Sequence, residues 1–269
     1  MIGNKVAGLV AGGALLAAAT LGARAEPGAW FSGDWHLTLG AAVFTAPDYA
    51  GARDYLIRGQ PLVSLSRAGA VTRFSSRNDN ISIAVIDTGD VRVGATGKIV
   101  FRRDAGDSPD LAGLDPVRWG AEVGAFAEVY PTGWLRLRGE LRRGIRAHDG
   151  VVADLAADAF VDVTPTVRLS GGPRLSAATA DYFDAYYGVG AAEAAASGLG
   201  VYAPAGGIGA VGLGGAVTWQ ASERVTTSLF GEYSRLMGPA ADSTLVRQRG
   251  ARDQFLLGVS ATYRFDFSL

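Results

Sequence analysis

The charges most able to do chemistry lie between residues 118 and 162. Arg118, Glu122, Glu128, Arg136, Arg138, Arg142, Asp154, Asp158 and Asp162 all occupy even positions, in segments whose odd positions are almost wholly apolar. Such a series can neutralise itself as a rigid ladder, form a constriction that sorts solutes by charge, or hold a catalytic carboxylate. A second set pairs carboxylates with aromatic rings: Asp48-Tyr49, Asp54-Tyr55 and Asp181-Tyr182, with Tyr186 nearby. Such pairs suit a cation or a sugar, and they also knit loops together. The two histidines are His36 and His148. His148-Asp149 has the order of a general base and its orienter, but no motif fixes a serine beside it. Phosphate-loop, zinc and EF-hand spacings are absent from the sequence, so it names no catalytic residue, cofactor or metal.

Composition narrows the setting. The chain has 269 residues, 48% of them hydrophobic, with 38 glycines, no cysteine and a formal net charge of −1. That balance gives no basic face for nucleic acid. Without cysteine there is no disulfide scaffold, thiolate metal cluster, cysteine nucleophile or acylated N-terminus. Lys5, the uncharged run Val6–Ala23 and Ala23-Arg24-Ala25 form the pattern of a cleaved secretory leader over residues 1–25. Residues 26–269 then form one domain.

Strict alternation positions the charges. In 117–130, 151–163 and 255–267 every odd residue is apolar or aromatic, while the even ones include Glu122, Asp158 and Arg264. Side chains alternate faces along a strand, so each segment has one apolar and one mixed face. Strands are expected at 35–44, 55–66, 71–76, 81–87, 90–101, 117–130, 134–146, 151–163, 167–177, 208–220, 225–236 and 254–267. Short and long connections alternate, the long ones being 45–54, 102–116, 178–207 and 237–253. This predicts an all-β, closed antiparallel transmembrane barrel of about twelve strands, with short periplasmic turns, long extracellular loops and outer-membrane lipid around it. Trp35, Trp219, Tyr263, Phe265 and Phe267 fall near one set of strand ends, and Trp119 and Tyr233 near the other, as two interfacial girdles. The rival is a water-soluble sandwich or barrel that buries the apolar face.

Charge favours lipid on the apolar side. An arginine facing lipid near the midplane costs about 2–4 kcal/mol. A cross-strand ionic pair inside contributes about 0.2–1 kcal/mol. Pairing Tyr130 with Trp134 sets Glu128 opposite Arg136 and Glu122 opposite Arg142. Pairing Arg146 with Gly150 sets Arg142 opposite Asp154 and Arg138 opposite Asp158. A shift of four would set Arg142 opposite Asp158 and Arg138 opposite Asp162. Arg92 shares the inward parity, whereas Arg143 has outward parity and belongs near a rim.

Several stretches carry a family resemblance. They are Ala46-Pro47-Asp48-Tyr49-Ala50-Gly51 with Arg53-Asp54-Tyr55, Asp149-Gly150-Val151-Val152-Ala153-Asp154-Leu155, Asp181-Tyr182-Phe183-Asp184-Ala185-Tyr186-Tyr187-Gly188-Val189, Ser234-Arg235-Leu236-Met237-Gly238-Pro239-Ala240-Ala241-Asp242-Ser243, Arg252-Asp253-Gln254-Phe255 and Tyr263-Arg264-Phe265. In this order they resemble the MltA-interacting protein (MipA/OmpV) family of outer-membrane proteins. Residues 67–90 match poorly, and the chain runs four residues past Phe265, where the family often stops. The resemblance implies a non-enzymatic barrel that scaffolds murein-synthesising and murein-cleaving enzymes. Other members are linked to osmotic response, adhesion or antibiotic uptake. It supplies no catalytic residues. A narrow channel for a small solute is the alternative expectation.

Overall fold

The computed structural model describes residues 15–17, 33–68 and 73–268. Most of the expected leader falls outside them. The exception, β1 (Leu15–Ala17), pairs in parallel with Val63–Leu65. Eleven longer strands follow: β2 (Asp34–Pro47), β3 (Tyr55–Arg67), β4 (Ile81–Asp87), β5 (Val91–Val100), β6 (Gly120–Thr132), β7 (Leu135–Ile145), β8 (Val151–Thr164), β9 (Val167–Ala178), β10 (Gly207–Gln220), β11 (Val225–Leu236) and β12 (Asp253–Ser268). They pair antiparallel in one sheet of order β3-β2-β12-β11-β10-β9-β8-β7-β6-β5-β4, with β1 on the free edge of β3. No helix among the described residues is long and apolar enough to cross a membrane.

Alternation sorts the faces. Along β6 and β7 the even residues Glu122, Phe126, Glu128, Arg136, Arg138, Glu140 and Arg142 are buried. Val123 is 52% exposed, Leu137 43% and Leu141 57%. Large apolar side chains therefore face outward and charged ones inward, the reverse of a water-soluble sheet. Trp219, Tyr263, Phe265, Phe267, Trp119 and Tyr233 are among the exposed aromatics.

One expected strand is missing. Described residues of 71–76 form no strand; 73–80 instead run along the inner face. Arg73, Arg77 and Asp79 share odd parity, so a wall strand in the common frame would turn all three toward the outer face. Each arginine there would cost about 2–4 kcal/mol near a bilayer midplane. Among the described residues the antiparallel strands therefore number eleven rather than twelve. Both edge strands, β3 and β4, run from the long-loop end toward the short-turn end.

The long connections fold into a cap. It contains the 3₁₀ turn Pro109–Leu111, α1 (Ala180–Tyr187), α2 (Ala191–Ser197), α3 (Gly238–Asp242) and α4 (Thr244–Arg249). Tyr49, Ala52, Leu111, Val189, Leu199 and Leu245 form one apolar cluster in the cap. Phe183, Tyr187, Leu236, Ala240, Ala241 and Val246 form another.

Close backbone approach sets a testable requirement at Gly124. A Cβ there would lie 1.9 Å from the carbonyl oxygen of Leu141, whereas one at Gly59 would meet nothing within 4 Å. Gly124→Ala should therefore part β6 from β7, at a cost of about 1–3 kcal/mol. We expect a lower thermal unfolding midpoint in detergent and less of the fast-migrating folded band on unboiled SDS gels. Gly59→Ala should leave both unchanged.

Candidate functional site

The site is built on β7, whose two-residue period stacks Arg136, Arg138, Glu140 and Arg142 on one face. All four are buried. Arg136, 0% exposed, lies 2.6 Å from Asp158, 2.6 Å from Asp79 and 3.4 Å from Glu128. Arg138 pairs with Glu128 and, at 2.6 Å, with Glu140. Arg142 pairs with Glu122 at 2.9 Å and with Glu140 and Asp154. Arg92 on β5 adds Glu128 at 2.8 Å and Asp87 at 3.3 Å. Each guanidinium forks between carboxylates, which suits its planar donor array.

The strand register differs from the expected one by two residues. Glu128 lies opposite Arg138 and Glu122 opposite Gly144, because the turn closes with Thr132 opposite Leu135 and a one-residue bulge follows between Val129 and Thr132. On the other side Arg136 lies opposite Asp158 and Glu140 opposite Asp154. Arg142 still reaches both Glu122 and Asp154 diagonally, since an arginine is longer than one register step. The expected Arg138–Asp158 pair does not form; Asp158 is held by Arg136 and Arg174. Nor do the pairs of the four-residue shift form, because Asp162 bonds Arg168 at 2.7 Å near the short-turn end. Arg118 also stands apart from the ladder: it precedes β6 and is exposed. Glu140 shares the even parity of its neighbours and was legible from it. Asp79 and Arg174 were not, because they arrive through the segment 73–80 and through β9.

That segment is a strap across the interior. Asp79 bonds Arg136 on β7, and Asn80 donates to Glu140 at 2.7 Å. Ser76 accepts from Arg174 on β9 at 3.1 Å, and Phe74 stacks on Phe160 of β8 with centroids 4.6 Å apart. Asn78 donates to Glu232 of β11. The Arg77 guanidinium lies between two rings, 4.3 Å from Phe44 and 4.2 Å from Phe230. The strap thus ties β7, β8 and β9 to β2 and β11.

The loop candidates separate into two groups. His148 is buried rather than at a polar rim, its Nε2 3.2 Å from Glu122 Oε1 and its ring edge-on to Tyr182 and Tyr186. Its carboxylate partner is Glu122 rather than Asp149, which is exposed. Gly144 makes room for it, because a Cβ there would lie 2.3 Å from the imidazole. His36 bonds Asp266 at 2.7 Å at the other end of the sheet. Arg103 links Tyr49 to Tyr186, lying 5.7 and 5.2 Å from their ring centres and donating to the Tyr186 carbonyl. Burial lowers the Arg103 pKa and pushes the Tyr187 phenol up to about 12. Tyr55 Oη accepts from Phe255 N–H at 3.0 Å, and the Asp48 carbonyl accepts from Arg58. Asp54 and Asp181 are exposed and lie outside this cluster.

Opposite the ladder the interior is open. Inner positions of β10 are Ala210, Gly212, Gly214, Ala216 and Thr218, none with a long side chain. Cavities of about 330, 420 and 510 Å³ lie along this side and share Glu232 and Leu256 in their walls. Among the described residues, no group of three or more histidine or acidic side chains is arranged to hold a metal ion.

Removing the central cation should expose the cost of the ladder. Arg136→Gln leaves Asp79, Asp158 and Glu128 with an uncompensated buried charge, a loss of about 3–5 kcal/mol. The urea midpoint in detergent should fall accordingly. Arg136→Lys should recover little of it, since one ammonium cannot fork among three carboxylates. Arg118→Gln should match the unsubstituted protein.

The sequence pattern of the family described as MltA-interacting protein MipA matches residues 39–265. No curated protein matches closely enough to count as a relative. The chain also aligns with several solved structures at low identity. Neisserial surface protein A is 11% identical, with 87% of this chain and 99% of that chain covered and a TM-score of 0.28. A bacterial polysaccharide outer membrane secretin is 8% identical, covering 87% and 98%, with a TM-score of 0.44. An outer membrane channel from Pseudomonas putida F1 is 11% identical, covering 90% and 100%, with a TM-score of 0.42. With its outward apolar face and inward charges, the chain belongs to the MltA-interacting protein MipA family and is an outer-membrane β-barrel protein.

Proposed function

We propose that residues 1–25 are removed on export and that residues 26–269 form one closed barrel acting as a non-enzymatic scaffold in cell-envelope and peptidoglycan organisation. Its seam lies between β3 and β4, and the cap end is extracellular. The observation that carries this reading is the occupied interior. The strap is tied to five strands, and the ladder fills the side built from β5 to β8. Such a barrel is stiff, and stiffness suits a fixed docking post. The family description names an MltA-interacting protein. This reading takes a murein-cleaving lytic transglycosylase and a murein synthase as the partners. They act in the periplasm, so they dock at the short-turn end, where Trp134 is exposed beside Pro131-Thr132-Gly133.

A narrow solute channel is the second reading. The cavities along β9–β12 favour it, because two of them adjoin at the strap residues Arg77 and Asn78. Planar-bilayer recording and a retention assay distinguish the two. The scaffold reading expects no stepwise current from the purified protein. It also expects immobilised protein to retain a purified lytic transglycosylase, with less retention after Trp134→Ala. Stepwise current without retention would replace it with the channel.

A further inference from the structure

A cavity of about 510 Å³ lies on the short-turn side of the strap. Its volume is within the ~300–1,000 Å³ of small-molecule pockets. It exists because the inner positions around it are small: Ser170, Gly214, Ala216, Ser228 and Ser260 line it. Their hydroxyls, with Thr218 and Thr262, present neutral donors and acceptors rather than charge.

The charged groups on its wall are not equivalent. Asp158 is engaged by Arg136 and Arg174, whereas Glu232 accepts from Asn78 through one oxygen and acts electrostatically on Arg77. Arg168 is held by Asp162, and Arg73 by Asp87. Arg77 differs. Its guanidinium carbon lies 4.3 and 4.2 Å from the Phe44 and Phe230 ring centres, and among the described residues its N–H groups form no hydrogen bond or ion pair. Arg174 Nε is buried without a hydrogen-bond partner. The cavity therefore offers cationic donors at Arg77 and Arg174 Nε beside its neutral hydroxyls, with Glu232 as the carboxylate that forms no ion pair among the described residues.

We propose that this cavity binds a small polyhydroxylated solute carrying one anionic group, with Arg77 on the anion and the serine and threonine hydroxyls on the sugar. A sugar acid and a sugar phosphate share that chemistry. The proposal requires the cavity alone and holds under either the scaffold or the channel reading. An in-plane guanidinium edge matches the two oxygens of a carboxylate or phosphate. A hydroxyl-lined wall matches a ring bearing several hydroxyls.

Equilibrium binding to the detergent-purified protein tests it, with glucuronate, glucose 6-phosphate, glucose and glucosamine as probes. A charge-assisted hydrogen bond predicts glucuronate, glucose 6-phosphate or both binding at least about tenfold more tightly than glucose and glucosamine. The two acidic probes separate carboxylate from phosphate. Arg77→Gln should remove the preference. Gly214→Leu should abolish binding while leaving Arg77 in place, because a Cβ at Gly214 meets only Glu232 and the Gly231 carbonyl, at 3.7 Å or more. The gel-mobility shift shows whether each variant has folded; if Arg77→Gln fails it, the leucine variant decides. Equal affinity for all four probes, preference for glucosamine, undiminished binding by folded Gly214→Leu, or binding of none would overturn the proposal.

Discussion

A charge that cannot face hydrocarbon must find its counter-charge inside, and Arg136 is where this constraint is tightest. Its guanidinium is wholly buried among Asp79, Glu128 and Asp158. Desolvating an arginine is expensive unless every donor is used. Here the forked donors are shared by β6, β8 and the strap, so one side chain fixes the relation of three separate parts of the chain. The two-residue period then carries the same logic along β7 through Arg138, Glu140 and Arg142.

The interior is asymmetric for a reason visible strand by strand. Strands β5–β8 place Arg92, Glu122, Glu128, Arg136, Arg138, Glu140, Arg142, Asp154 and Asp158 inward. Strand β10 places only alanine, glycine and threonine there from Ala210 to Thr218. Long charged side chains fill one half, and the other is left as cavities. The strap crosses the boundary, with Asp79 and Asn80 on the ionic side and Arg77 between Phe44 and Phe230 on the other. An aromatic sandwich stabilises a cation without neutralising it. Among the described residues Arg77 is the strap cation that forms no ion pair.

The cap follows a different rule from the strands. Its helices are short, and their stability comes from tertiary burial of Phe183, Leu245 and Val246 rather than from helix length. His148 sits where cap meets ladder, joining Glu122 of β6 to the rings of Tyr182 and Tyr186. Tyr49 and Tyr182 of the loop Asp-Tyr pairs thereby contribute to packing, while Tyr55, Asp54 and Asp181 are exposed.

What the sequence determined by itself was the face of each strand residue, because side-chain direction alternates at every step whatever the partner strand. Val123 outward and Glu122 inward follow from parity alone, as does the inward place of Glu140. Pair identity needed the tertiary structure, because parity is the same for any two-residue slip of a strand and the turn and the one-residue bulge at Val129/Thr132 decide which slip is adopted. The place of 73–80 likewise needed it. Its short run of mixed charges carries no apolar alternation, and only the assembled interior offers Arg136 to Asp79 and two phenyl faces to Arg77. Local periodicity reports a direction, and long-range ionic contact reports a neighbour.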